Sequence, residues 1–116
     1  MTKQENLIKK WVAALKSGEY KQDTGQLCSD NGYCCLGVLC DIYDKEDDQP
    51  IDWEGGDYYL PQDLQDIIGL KDEDGKVILE DETTSLVELN DEYRSFEFIA
   101  EVIENNKDQL FVTVED

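Results

Sequence analysis

YCCLGVLCDIY, residues 33–43, is apolar at nearly every position. Leu36, Leu39, Cys40 and Tyr43 stand at i, i+3, i+4 and i+7, the spacing of one helical face, and Cys35, Val38 and Ile42 widen that face. A helix that is apolar almost all round has to be central, so the run from Cys35 to Tyr43 predicts the core helix of a small domain. Immediately before it, Leu27-Cys28 and Tyr33-Cys34 flank Ser29-Asp30-Asn31-Gly32. The Asn-Gly step supplies the positive φ of a tight turn, so these flanks are expected to pair as a hairpin.

Outward from this centre, residues 4–17 place Leu7, Ile8, Trp11, Val12 and Leu15 on one stripe, with Gly18 as the stop. Residues 44–50, DKEDDQP, have the composition of a solvated acidic loop. Gly55-Gly56 predicts a turn between short extended pieces. Pro61 opens a helix with Leu64, Ile67 and Ile68 inward and Gly69 at its end. Asp74-Gly75 predicts a turn into a strand at Val77–Leu79. TTSLVELNDEY predicts a short helix carrying Leu86, Val87 and Leu89. Ser95 is the N-cap expected for a helix with Phe96, Ile99, Ala100 and Ile103 inward. LFVTV, residues 110–114, is β-prone by composition. These elements make an α+β fold: one small domain over residues 1–116, with four or five helices and a minor β-hairpin or sheet.

At 116 residues and 40% hydrophobic, the chain has the material for one core. No apolar run approaches the roughly 18 residues of a membrane span. MTKQENLIKKW lacks a secretory apolar region, which predicts a cytoplasmic protein. There Cys28, Cys34, Cys35 and Cys40 would be thiols. Their spacing, C-x5-C-C-x4-C, lacks the close pairs that turn back on one zinc ion, and there is no C-x-x-C redox motif. Cysteine is often a small buried hydrophobe, so these four are expected to pack the core, with no metal and no cofactor.

Charge is the dominant feature. The chain has 29 acidic and 10 basic side chains, a net charge of −19, and residues 62–116 hold 17 of the acids against four bases. Direct nucleic-acid binding is disfavoured, because phosphate contacts need Lys and Arg, and an anionic membrane surface would repel the chain. The absence of histidine removes the usual proton shuttle and every Ser–His or Cys–His pair, so no enzymatic activity is expected. LKDEDGKVILED aligns with a calcium loop at Asp72, Asp74 and Gly75. It has Leu70 at the first ligand position and Asp81 at the twelfth, so a plain turn is expected.

Residues 72–92 hold nine acids against one base. Asp72, Glu73, Asp74, Glu80, Asp81, Glu82, Glu88, Asp91 and Glu92 are therefore the candidate binding face. A domain of this size is roughly 35 Å across. Duplex DNA carries 19 charges in about 32 Å, so the chain has DNA-like charge for its length. The competing possibility is a ligand pocket lined by Trp53, Tyr58 and Tyr59.

WVAALKSGEYKQ, YCCLGVLCDIY, LPQDLQDIIGL and LVELNDEYRSFEFIAEVIE, in that order, resemble a family of small uncharacterised proteins of tailed phages and prophages. Its specific parts are the CCLGVLCD block and the LNDxxxSFxxIAxxIE segment, here Leu89 to Glu104. The resemblance implies a phage accessory protein working in the host cytoplasm. The expectation is that it inhibits a host defence or nucleic-acid-handling protein, whose basic groove meets the acidic face, by DNA mimicry. The sequence carries no signal for oligomeric state.

Overall fold

The core helix is where the sequence puts it. α2 (Cys35–Glu46) carries Cys35, Leu36, Val38, Leu39 and Cys40, which are 0–1% exposed, and Ile42 and Tyr43 are buried beside them. The computed structural model describes residues 2–24, 27–29, 32–46, 60 and 62–114. β1 (Cys28–Ser29) and β2 (Gly32–Tyr33) form the expected hairpin ahead of α2, with Cys28 opposite Tyr33, and the Cys34 N–H donates to the Leu27 carbonyl (3.1 Å). The hairpin lies against the helix at Gly37. A Cβ there would sit 1.8 Å from the Leu27 carbonyl oxygen, so only glycine allows this approach of backbone to backbone. The helix runs past Tyr43 to Glu46, so residues 44–46, expected in an acidic loop, are helical; Lys and Glu are good helix formers and extend it. Residues 47–50 and the Gly55-Gly56 turn lie outside the described residues.

α1 (Lys3–Ser17) starts where the Thr2 hydroxyl accepts from the Glu5 N–H (3.1 Å) and ends at Gly18, with φ 78°. Its expected stripe is buried, and the Trp11 indole N–H donates to the Cys35 carbonyl (2.9 Å), tying α1 to the start of α2. Gln4 is buried as well. Its amide donates to the carbonyls of Ile68 and Val112, and its carbonyl oxygen accepts from the Val114 N–H. α1 packs most extensively on α5 (Phe96–Asn105) and then on α2. The Ser95 hydroxyl caps α5 by accepting from the Phe98 N–H, and Phe96, Ile99, Ala100 and Ile103 face inward as the periodicity predicts.

α3 (Gln62–Ile68) buries Leu64 and Ile68. β3 (Lys76–Leu79) follows the Asp74-Gly75 turn, and the calcium-like stretch is accordingly a turn entering a strand. TTSLVELNDEY divides in two, the expected short helix with Leu86, Val87 and Leu89 buried and, before it, a strand that was not expected. Glu82–Ser85 is a strand, β4, paired antiparallel with β3, and the helix α4 covers only Leu86–Asp91. β-branched Thr83 and Thr84 suit a strand, and Ser85, accepting from the Glu88 N–H, starts the helix behind them. Asn106 opens one further turn, α6 (Lys107–Leu110), making six helices among the described residues where four or five were expected. LFVTV is consequently not a strand. Leu110 closes α6, Phe111 makes a single bridge to Leu70, and the Val112 N–H donates to Gly69. The result is an α+β domain with two separate two-stranded antiparallel hairpins and a radius of gyration of 13.0 Å. Among the described residues no helix is long and apolar enough to cross a membrane.

Candidate functional site

The β3–β4 hairpin turns through Glu80 and Asp81, whose φ values of 50° and 71° are both positive, as a two-residue I′-type connection requires. The register pairs Val77 with Thr84 and Leu79 with Glu82. Alternation along a strand therefore puts Val77, Leu79, Glu82 and Thr84 on one face. That face looks across an open groove of about 370 Å³ to α5 and the end of α4. On α5, Phe98, Glu101, Val102 and Asn105 stand at i, i+3, i+4 and i+7 and present one side to the groove. Leu89 and Val102 are buried in its floor, and Leu79 and Phe98 are half-buried above them. Around this apolar floor stand the exposed carboxylates of Glu80, Glu82, Glu92 and Glu101.

One cation lines the groove. The Arg94 guanidinium lies 4.2 Å from the centre of the Phe98 ring and makes no ion pair among the described residues. Its backbone is fixed by the end of α4. The Arg94 N–H donates to the Leu89 carbonyl and the Tyr93 N–H to the Asn90 carbonyl, the double bond of a Schellman end. Tyr93 holds the left-handed position with φ 59°, where glycine is usual, and its side chain is 64% exposed.

A second groove, between α1 and α5, has the opposite character. Lys9, Lys16 and Lys107 border Ile8 and Val12 there, with Glu5 and Glu104 among them. Lys16 is bonded to Glu104, and that hydrogen bond raises the ammonium pKa above its ordinary value.

The family model described as Domain of unknown function (DUF8296) matches residues 3–107. The chain belongs to this family. No curated protein and no solved structure matches it. Every residue of the acid-rimmed groove falls within the matched part of this DUF8296 domain.

The structure brings three of the nine expected carboxylates, Glu80, Glu82 and Glu92, to the groove and distributes the rest. Asp72, Glu73 and Asp74 sit before β3, at the end of the hairpin away from its Glu80-Asp81 tip. There the carbonyls of Asp74 and Gly75 accept the first N–H groups of α4. Asp81 is at the hairpin tip, and Asp91 ends α4. Glu88 accepts from the Thr84 hydroxyl (3.2 Å) in the first turn of α4. Trp53, Tyr58 and Tyr59 lie outside the described residues. Glu101, Phe98 and Arg94 were not among the sequence candidates. Their signal was the i, i+3 step from Phe98 to Glu101 on a helix already recognisable.

Cys34, Cys35 and Cys40 are buried thiols, and the Cys35 thiol donates to the Leu86 carbonyl (3.5 Å). Burial pushes the Cys35 pKa well up, and the neighbouring Cys34 adds to the effect. A thiol held neutral in this way is a packing group rather than a nucleophile. Among the described residues no three His, Cys, Asp or Glu side chains are grouped to hold a metal ion.

Proposed function

We propose that this DUF8296 domain is a small phage accessory protein that binds, without catalysis, a basic element of a host protein acting in defence or nucleic-acid handling. The observation that carries this reading is the groove. Four exposed carboxylates surround an apolar floor, and the one cation present is held on an aromatic ring rather than paired with any of them. A cationic partner segment would gain both charge attraction and apolar burial there. Net charge adds long-range steering toward basic surfaces and opposes direct contact with nucleic acid or an anionic membrane. The chemistry of the chain supports binding over catalysis, since it has no histidine and the Cys35 thiol is buried and neutral. Mimicry of nucleic acid is then a matter of carboxylates standing where a partner's basic groove receives phosphates.

The test is capture from host lysate at about 50 mM and about 500 mM salt, where screening lengths differ roughly threefold. The parent is compared with a variant carrying Glu80→Gln, Glu82→Gln, Glu92→Gln and Glu101→Gln, all exposed positions. The expected result is a protein captured by the parent at low salt, released at high salt and not captured by the variant. Equal capture by both would mean that the groove is a solvated surface.

A further inference from the structure

Arg94 is the cation a groove of this kind would otherwise have to import. It follows the Schellman end of α4, lies 4.2 Å over the Phe98 ring and faces an acid rim with which it forms no ion pair. A guanidinium prefers this placement for a physical reason. It is planar and weakly hydrated, so it stacks on an aromatic face, while a lysine ammonium keeps its water. Three carbons of arginine stem would also cover Leu79 and the half-buried edge of Phe98, leaving the charge among the carboxylates.

Resting on the binding function proposed above, we infer that the groove takes an arginine-bearing segment of the partner, with Phe98 as the platform for its guanidinium. Arg94 occupies that platform in the unbound domain and is displaced when the partner's arginine arrives. The rim then reads charge, and the ring discriminates arginine from lysine. Arg94 is an internal competitor. It lowers affinity for every cationic segment through repulsion, and for arginine segments additionally through occupation of the ring.

Two fluorescein-labelled nine-residue peptides serve as probes, one with three arginines among leucines and glycines, the other its lysine counterpart. Anisotropy titrations are run at low salt on the parent, Arg94→Gln and Phe98→Leu, each with its melting temperature recorded. The parent should bind the arginine peptide about threefold or more tightly than the lysine peptide, the scale of an exposed cation–π contact. Arg94→Gln should tighten both and widen the ratio, and Phe98→Leu should bring the ratio to about one. Arg94 is exposed, so its variant remains informative even if Phe98→Leu melts early. A ratio unchanged in Arg94→Gln, or no binding of either peptide, overturns the inference. If lysate capture still depends on the four glutamates, the acidic groove stands without the arginine platform; if it does not, both fall.

Discussion

The Asn90 carboxamide joins three stretches of chain that are far apart in sequence. Its oxygen accepts from the Cys35 N–H (3.2 Å) and the Gln22 amide (3.0 Å), and its own amide donates to the Asp23 carbonyl (2.8 Å). The first N–H of a helix has no partner inside it, and here the partner arrives from 55 residues away. No local spacing rule announces such a residue, which is why the sequence showed Asn90 only as part of a motif. Cys35, by contrast, was legible as a core thiol from the apolar run around it. Its consequence is a pH effect. Burial raises the folded pKa above the ordinary 9.0, so the folded state holds a proton that the unfolded state gives up. The stabilisation is fully present below about pH 9 and is lost as pH rises toward the folded value, by up to about 1.4 kcal/mol per pH unit. Cys35→Ala should therefore flatten the alkaline limb of a plot of melting temperature against pH; identical limbs would assign the loss to other groups. Cys35→Ser should cost on the order of 1–3 kcal/mol at pH 7, because the hydroxyl wants a better partner than the 3.5 Å contact to Leu86 provides.

Helices with a full apolar stripe, α1, α2 and α5, were readable from spacing because burial and period agree there. The β3–β4 hairpin was not readable as a pair. Glu80 and Asp81 adopt positive φ without the Asn-Gly signature, and the helical period of Ser85–Leu89 masks the Thr83-Thr84 strand before it. The candidate site inherits that gap. The acids were visible as residues, but which of them meet depends on pairing Leu79 with Glu82, a fact of register. The α4–α5 corner offers a direct check on backbone conformation. Tyr93 holds a left-handed φ that costs a non-glycine residue about 1 kcal/mol, and its ring is largely in water. Tyr93→Gly should accordingly raise stability in urea denaturation by about 0.5–1 kcal/mol. A loss of stability would mean that the exposed ring contributes contacts worth more than the strain it imposes.

Across the whole molecule, acidic side chains outnumber basic ones by 29 to 10. Among the described residues one ion pair is present, Lys16 with Glu104, against a net charge of −19. Repulsion between carboxylates is then a general destabilising field, and salt should relieve it. Raising sodium chloride from about 10 mM to about 200 mM should increase the melting temperature by several degrees, as a gain of about 1 kcal/mol would. A fall would show that specific pairs outweigh the field. The contact between Gln4 and residues 112–114 concerns a different property, the order in which the chain is made. The seam at the start of α1 is completed by residues 108 and 110 positions further on, so a growing chain can pack α1 on α2 early but leaves Gln4 without these partners until residues 112–114 have been made. A nascent chain stopped after Asn105 should be cut rapidly by protease at the start of α1, and one carried through Val114 and released should resist; equal resistance would place completion of the fold before the tail. Closure of this seam is thus timed by the codons for residues 112–114.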